Sequence, residues 1–383
     1  MRFVELVRKN VVRRKLRSAL TACGVAVAIA TVVTLVGVSQ GFRRSATESF
    51  RSHGVDMVVV CAGAVQRNAS SLSEQLRRRL TRLDGVAEVI PALTDRVSLG
   101  KGGPLGIAVH GWPADSHVWD TLKIIDGRRP MEHDRGMVLV GSQLARNLDK
   151  KVGDRIDIEL TQYRIVGVYQ SSNVFENSAA VLLLPDLQHL MDRNGQVSEF
   201  LIVLAKDTPD RREAIQQLQQ HVEALTDQRG QPLGLAALPT EQYVSRNLEI
   251  RLAGDMSWAT STIALLIGSI GVLNTMLMSV MERTQEIGVL RAIGWRRSRI
   301  MRLIVYESCV VCLIGAVAGI ALSLALVSSL SRLPSARGLV RSDTSPAVVA
   351  IGLGMALAMG LIGALYPAWR GASLQPTEAL RYE

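Results

Sequence analysis

Cysteine and serine motifs are the first candidates for chemistry in this sequence, and their surroundings argue against both. Cys309 and Cys312 have the C-x-x-C spacing of a redox or metal pair, but they lie in an apolar run with no second pair. Two small buried side chains are therefore the better interpretation. Residues 37–41 (GVSQG) match the G-x-S-x-G hydrolase pattern, which requires a strand-to-helix turn. Here the pattern ends an apolar run, so we expect no hydrolase site.

Histidines and glycine-rich segments give no better candidate. No H-x-x-x-H or H-E-x-x-H spacing occurs among the six histidines, which are His53, His110, His117, His133, His189 and His221. The glycine-rich segment 100–106 lacks the Gly-Lys-Ser/Thr ending of a P-loop, and no Walker A pattern occurs in the sequence. We predict no catalytic residue, no metal site and no cofactor in this chain.

A charged segment after residue 281 is more informative. Glu282 and Glu286 are four residues apart, so they share one face of a helix. Ile287, Leu290 and Ile293 form an apolar stripe at helical spacing. The pattern favours a short helix that presents charges and a stripe to a partner over a solvated loop.

Four uncharged runs explain how such a segment is positioned. They cover residues 18–42, 256–281, 308–331 and 344–369, and they are 25, 26, 24 and 26 residues long. A bilayer core about 30 Å thick needs roughly 20 helical residues. The runs therefore predict four transmembrane helices. Gly315-x-x-x-Gly319 and Gly352-x-x-x-Ala356 offer small faces for close helix contact.

The distribution of charge predicts the orientation of these spans. The chain carries 44 Lys and Arg against 34 Asp and Glu, but residues 43–255 carry 26 against 27. The excess therefore flanks the apolar runs, which argues against nucleic acid as a partner. Basic residues cluster in segments 1–17 and 282–307, so we expect both on the cytoplasmic side, with the tail 370–383. The loop 332–343 and the domain 43–255 would then be extracytoplasmic.

The domain 43–255 alternates strand and helix patterns. Strands are predicted at 55–62, 86–99, 105–112, 152–160, 163–170 and 200–205, strand–helix pairs at 137–148 and 181–191, and helices at 72–83, 209–226 and 241–257. The mixture indicates an α+β domain of two lobes, one interrupted by the other.

Several of these segments resemble one known family. Residues 271–300 (GVLNTMLMSVMERTQEIGVLRAIGWRRSRI) and the tail 366–383 (YPAWRGASLQPTEALRYE) resemble the MacB/LolC-type ABC transporter permeases of the FtsX-like superfamily. The basic start of the chain and residues 136–169 are similar to the same family. Gly371 departs from it, because alanine is more usual there.

The resemblance implies a fold, a mechanism and a set of contact residues. It implies four spans, a MacB-type periplasmic domain, and a dimer that works with a separate cytoplasmic ATPase, which would bind the ATP and magnesium. ATP-driven movement of that ATPase would be carried across the bacterial inner membrane to export a substrate. A periplasmic adaptor would be a further partner. The ATPase-coupling positions implied are Glu282, Arg283, Glu286, Gly288, Arg291, Gly294 and Arg370.

Two questions stay open at the level of sequence. A small patch at Gly268, Gly271 and Thr275 predicts a homodimer seam on the second span, but the patch could instead pack within one subunit, and a heterodimer with a paralogue is an alternative. The functional alternatives are an FtsX-like transducer that regulates an extracytoplasmic partner such as a cell-wall hydrolase, and a lipoprotein-releasing permease.

Overall fold

The computed structural model describes residues 15–63, 70–100, 106–171, 174–205, 209–330 and 345–373. The chain folds as two units. The described parts of Met1–Gly41, Ala253–Arg332 and Ser342–Glu383 form one, the helical unit, and those of Phe42–Leu252 form the other, the sheet unit. The predicted loop 332–343, residues 1–14 and the tail from residue 374 lie outside the described residues.

The helical unit consists mainly of long helices, and the sheet unit contains shorter ones. Within the described residues the α-helices are α1 (Lys15–Ser52), α2 (Arg77–Leu80), α3 (Val118–Thr121), α4 (Ser142–Leu148), α5 (Val174–Asn177), α6 (Leu184–Leu190), α7 (Arg211–Glu223), α8 (Thr240–Arg246), α9 (Leu248–Glu282), α10 (Thr284–Ala292), α11 (Arg297–Leu330) and α12 (Pro346–Ser373).

The strands all belong to the sheet unit. They are β1 (Met57–Cys61), β2 (Leu72–Ser73), β3 (Val86–Val97), β4 (Ile107–Trp112), β5 (Lys123–Gly127), β6 (Met137–Gly141), β7 (Arg155–Ile158), β8 (Thr161–Gln170), β9 (Ala180–Leu183), β10 (Gln196–Val197), β11 (Glu199–Leu204) and β12 (Leu235–Pro239).

Four helices, α1, α9, α11 and α12, are long and apolar enough to cross a membrane. They contain the runs 18–42 and 256–281 and nearly all of the runs 308–331 and 344–369. α1 has 38 residues, so it extends for about 57 Å at 1.5 Å per residue. That length exceeds a bilayer core of about 30 Å. The fold class expected from the sequence, four membrane helices with a mixed α+β domain, is confirmed.

Glycines bring the membrane helices into backbone contact. A Cβ atom at Gly319 of α11 would lie 2.5 Å from the carbonyl oxygen of Ala26 in α1, and one at Gly315 would lie 2.7 Å from that of Ala22. At Gly352 of α12 a Cβ atom would lie 2.7 Å from Val33 Cγ2. The small faces predicted on the third and fourth spans therefore pack against the first.

One mixed sheet of ten strands forms the sheet unit. Its strand order is β12-β1-β11-β3-β4-β9-β6-β8-β5, with β7 paired to β8. β3 pairs with β11 through Val86–Ala92 and with β4 through Leu93–Val97. Pro91 lies in the first of these parts, where β3 pairs with β11 but not with β4. A strand with an unpaired edge accepts a residue that lacks an N–H group.

β3 divides the sheet into two halves. The first half contains β1, β11, β12 and Val86–Ala92 of β3, and the second contains Leu93–Val97 of β3 with β4 to β9. The chain leaves the first half after β3 and returns to it at β11. This is the interrupted arrangement predicted for the two lobes, although a continuous sheet joins them.

Both faces of the sheet are covered. Residues that alternate along each strand enter two cores: Met57 and Val59 of β1 join one, and Val58 and Val60 join the other. The second core also contains Phe50 at the end of α1 and Tyr243 of α8. The alternation is that of a strand buried on both faces.

Local structure departs from the sequence prediction at a few places. The predicted helix 72–83 is a short strand, a 3₁₀ turn at Glu74–Leu76 and the single turn α2. The predicted helix 241–257 is interrupted at Asn247, whose backbone is extended (φ −59°, ψ 122°). α3, β5 and β12 were not predicted, because short elements carry too little periodicity.

Candidate functional site

The segment that carries the predicted coupling residues begins where α9 ends. Arg283 separates α9 from α10 and has a non-helical backbone (φ −108°, ψ 16°). α10 ends at Ala292, and Gly294 follows with φ +98°, a conformation that favours glycine. The segment therefore contains a separate nine-residue helix after the span. The coupling segment predicted from the sequence covers residues 282–307, and we use the name coupling segment for its first part, residues 282–294.

Arg283 does not point outward but forms a shielded ion pair. Its Nη2 atom lies 2.9 Å from Oε2 of Glu307 in α11, and the two side chains are 11% and 8% exposed. The same nitrogen donates to Ser279 Oγ at 2.9 Å. Glu307 was not singled out from the sequence, although it is the acidic residue directly before the third apolar run. A shielded pair of this kind is strongly sensitive to loss of one partner.

Glu282 is also held within the chain. Arg17 of α1 donates to both of its carboxylate oxygens, at 2.9 Å and 2.5 Å. Both side chains are about one-third exposed, so this pair contributes less than the shielded one. The two pairs connect the start of the coupling segment to α1 and α11.

The inner side of α10 rests on an apolar cluster. Ile287 packs with residues from α9, α11 and α12, which are Val280, Ile300, Ile304, Ala368 and Ala372. A Cβ atom at Gly371 would lie 2.9 Å from Val280 Cγ1 and 3.2 Å from Ile304 Cδ1. Glycine at this position, where the family more often has alanine, therefore allows α12 to approach closely.

The predicted apolar stripe is divided between two faces, which corrects the sequence interpretation. Ile287 faces inward, Leu290 is half-buried, and Ile293 is 73% exposed. Val289, which was not predicted, is 45% exposed on the outer side. The outward surface therefore combines Glu286 and Val289 of α10 with Ile293, which directly follows the helix. We call these three residues the outer face of α10.

The remaining predicted coupling residues also make contacts within the chain. Arg291 Nη1 lies 3.4 Å from the carbonyl oxygen of Ala372, and Arg370 Nη1 lies 3.2 Å from the Tyr366 hydroxyl. Gly288 is a buried residue of α10. Thus Glu286 and Gly294 are exposed, whereas Arg283 and Gly288 face the bundle.

A small cavity lies beside Glu307. Its volume is about 20 Å³, which is room for roughly one water molecule. Its lining is contributed by α1, α9 and α11, through Arg17, Ser18, Thr21, Thr275, Met276, Ser279, Glu307 and Val311. Segments of three helices near the coupling segment thus meet at this cavity.

The predicted seam residues have different surroundings. A Cβ atom at Gly268 would lie 1.8 Å from Met359 Cε of α12, so Gly268 serves a contact within the chain. Gly271 is exposed, with no atom within 4 Å of such a Cβ. Thr275 is partly buried and bonds the Gly271 carbonyl at 2.7 Å. The seam stays a prediction, with Gly271 as its most accessible member.

The other chemical candidates do not assemble into a site. Residues 37–41 continue α1, and Cys312 is buried while Cys309 is partly buried. Among the residues that the structure describes, no group of three or more His, Cys, Asp and Glu side chains could hold a metal ion. In the helical unit, organised charges are found at the coupling segment, in the Arg283–Glu307 and Arg17–Glu282 pairs.

Four apolar helices, a mixed sheet and a short helix after the second span define a multi-pass membrane permease with one large globular domain. The model of the MacB-like periplasmic core domain matches residues 18–221, and that of the FtsX-like permease C-terminal region matches residues 258–376. The chain belongs to the family of ABC transporter permeases that carry these domains, and the resemblance seen in the sequence is confirmed.

Individual relatives agree with this assignment. The chain is 27% identical over 394 residues to the macrolide export ATP-binding/permease protein MacB of Hyphomonas neptunium, which covers 96% of this chain and 58% of that protein. It is 24% identical over 390 residues to the uncharacterized ABC transporter permease MJ1507 of Methanocaldococcus jannaschii, covering 98% and 96%. The chain thus spans less than two-thirds of that MacB protein and nearly all of the archaeal permease.

A solved structure is also similar. The periplasmic region of MacB from Actinobacillus actinomycetemcomitans covers 52% of this chain and 95% of its own, at 13% identity and a TM-score of 0.40.

Proposed function

We propose that this chain is the permease subunit of a MacB-type ABC transporter. In this proposal a separate cytoplasmic ATPase binds and hydrolyses ATP with magnesium. The permease transmits the resulting movement to its sheet unit and so drives export of a substrate from the periplasm or the outer leaflet. The observation that carries the proposal is the outer face of α10, an exposed charged and apolar surface on a helix whose inner side is fixed to the bundle.

The packing of α10 favours transmission of force. A docking helix can move a bundle only when it is firmly attached to it. Ile287 anchors the middle of α10 in the apolar cluster, and the Arg283–Glu307 pair anchors its start. We therefore assign Glu286, Val289 and Ile293 to contact with the ATPase, and Arg283, Gly288 and Arg291 to positioning of the coupling segment.

The spans themselves support transmission rather than a polar pore. The four apolar runs contain no Asp, Glu, Lys or Arg. Ion channels and proton-coupled carriers generally place ionisable groups inside the membrane. The sequence also lacks a Walker A pattern, so we expect the purified chain to show no ATP turnover by itself.

Co-purification tests the proposed contact. We expect the tagged wild-type chain in its native membranes to retain an ABC ATPase, identified by mass spectrometry. Glu286→Lys reverses a charge on the outer face of α10 and should lower the yield of ATPase about tenfold, the equivalent of 1.4 kcal/mol. Glu223→Lys, at an exposed position of α7, is the matched control. Retention of the ATPase at wild-type yield by Glu286→Lys would overturn the assignment of this face.

An FtsX-like transducer is the second candidate, and the match of residues 258–376 to the FtsX-like permease C-terminal region is equally consistent with it. It would use the same ATPase and membrane helices but act on an extracytoplasmic enzyme such as a cell-wall hydrolase. A lipoprotein-releasing permease is a third variant. Capture of a periplasmic adaptor by the sheet unit would support export, whereas capture of a hydrolase would support the transducer.

A further inference from the structure

Two helices connect the sheet unit to the membrane spans, and each ends in a different polar network. α1 enters from the first span and ends at Ser52. α8 leaves β12, and α9 begins two residues after it. The last turn of α1 and the start of α8 are therefore two points at which movement of a span reaches the sheet unit.

α1 continues through residues 53–56 into β1 of the first half, and its last turn is also attached to the second half of the sheet through Glu176. This carboxylate accepts a hydrogen bond from the Ser49 hydroxyl of α1, and His53 Nε2 lies 2.9 Å from its Oε1 atom. The other ring nitrogen of His53 lies 2.6 Å from Thr121 Oγ1 at the end of α3. His53 and Glu176 are both buried, with side chains 6% exposed.

Residues near the end of β8 also form hydrogen bonds to Glu176. Ser171 donates to Glu176 Oε2 at 2.5 Å, and Tyr169 of β8 donates to the Glu176 carbonyl at 2.5 Å. Burial acts to raise the pKa of Glu176, but the hydrogen bond and charge of His53 and the two serine hydroxyls together hold it below its ordinary value. Ser171, Tyr169, Thr121 and Glu176 all follow β3 and belong to the second half.

α8 is attached to the first half instead. The Tyr243 hydroxyl donates to Oε2 of Glu199 in β11 at 2.6 Å, and Glu199 is buried. The Thr240 hydroxyl donates to the carbonyl of Val55, which precedes β1, at 2.9 Å. β12, β1 and β11 are consecutive strands of the first half.

The two helices also touch each other. The rings of Phe50 and Tyr243 meet edge to face with centroids 5.6 Å apart. Arg51 and Glu241 form an ion pair at 2.6 Å, in which both side chains are exposed. An exposed ion pair of this kind contributes little to stability. The contact between the two rings has no buried hydrogen bond to break, so it resists sliding of the helices less than the buried charged networks do.

We propose that α1, besides continuing into β1, holds the second half of the sheet through Ser49 and His53 on Glu176, whereas α8 holds the first half through Tyr243 on Glu199. A displacement of one helix against the other would then shear the halves about the shared strand β3. Ser49, His53 and Tyr243 are positioning residues in this scheme. The inference rests on the proposed function for its purpose, but the division of contacts can be tested without any ATPase.

Hydrogen exchange on the full-length chain in detergent tests the division. Ser49→Ala removes one donor from Glu176, and we expect amide exchange in β6 and β9 to rise about tenfold while β1 and β12 are unchanged. Tyr243→Phe removes the hydroxyl on Glu199 and should have the opposite pattern, with faster exchange in β1 and β12. Glu176→Gln should reproduce the first pattern more strongly. If Glu176→Gln does not fold, the two milder variants still decide the question.

The outcomes separate the inference from the proposed function. Equal effects of Ser49→Ala and Tyr243→Phe on both halves, or effects on the same half, would overturn the inference. Failure of the wild-type chain to retain an ATPase would overturn the proposed function and leave the exchange pattern to stand or fall by itself. When the ATPase is retained, both variants should bind it at wild-type yield, because neither residue lies in the coupling segment.

Discussion

Two shielded carboxylates, Glu307 in the helical unit and Glu176 in the sheet unit, organise the polar contacts of this permease. Each has a basic partner that is far away along the chain or on another helix: Arg283 for Glu307 and His53 for Glu176. Taking one partner from such a pair leaves a charge without compensation in a poorly hydrated place. Mutations that remove one partner are therefore predicted to destabilise the protein.

The Arg283–Glu307 pair should be strongly asymmetric under mutation. Glu307→Gln leaves Arg283 without its carboxylate and should destabilise the chain in detergent by about 3 kcal/mol. Replacing both residues, as Arg283→Met with Glu307→Leu, should be much less harmful. Arg17→Gln at the more exposed pair is the control, with an expected loss of less than about 1 kcal/mol. Thermal unfolding of the wild type and the three variants would contradict this if the double variant were as unstable as Glu307→Gln.

Glu176 predicts a dependence of stability on pH. A carboxylate whose pKa is lowered by folding stabilises the protein above its unfolded pKa, and this contribution is lost as the pH falls through the folded pKa. For Glu176 the ordinary value is 4.5 and the folded pKa lies below it. The melting temperature of Glu176→Gln should therefore be well below that of the wild type at pH 7, and the difference should shrink on acidification below pH 4.5. A constant difference across this range would show that the carboxylate charge is not the stabilising feature.

At the scale of elements, the close contact of α11 with α1 depends on glycine. A methyl group at Gly319 would lie 2.5 Å from a backbone carbonyl of α1, and a backbone atom can yield only if the helices separate. We expect Gly319→Ala to destabilise the chain by about 1 to 3 kcal/mol. Gly354→Ala in α12, where a methyl group meets nothing within 4 Å, is the matched control. It should be neutral or stabilising, because alanine is the better helix former. Equal melting temperatures for the two variants would contradict the packing.

Much of the element scale could be predicted from the sequence, and the failures have physical causes. The four apolar runs identify the membrane helices because hydropathy over 25 residues is a strong signal. The stripe Ile287, Leu290 and Ile293 was misread, because helical spacing defines a face but does not show what lies beneath it. The role of Glu307 was missed because it depends on Arg283, which is 24 residues away between α9 and α10. The division of the sheet at β3 depends on strand pairing, which no local pattern reveals.

At the scale of the whole molecule, the seam between copies is the first question. α9 is the least covered of the four membrane helices, with 28% of its apolar window buried within the chain. Ile267, Ile270, Gly271 and Asn274 are exposed on it. An amide such as that of Asn274 is costly to leave in lipid, and a second copy would bring an identical amide to it.

Crosslinking tests this seam. In a background without the four native cysteines, single cysteines at Gly271 and Asn274 should form dimers under mild oxidant in membranes. A cysteine at Val272, which is 1% exposed within the chain, should not. If α9 positions stay monomeric while exposed positions on α1 or α11 crosslink, the seam lies on another helix.

The central claim is that ATP-driven movement at the coupling segment reaches the sheet unit. The most direct measurement is the distance between spin labels at Leu160→Cys, which is 96% exposed in the sheet unit, and Leu326→Cys, which is exposed on α11. The labelled chain, free of native cysteines and diluted with unlabelled copies, would be reconstituted in nanodiscs with its ATPase. We expect ATP with vanadate to shift the distribution of distances between the two labels, and Glu286→Lys to abolish this shift. An unchanged distribution in a complex that hydrolyses ATP would contradict it.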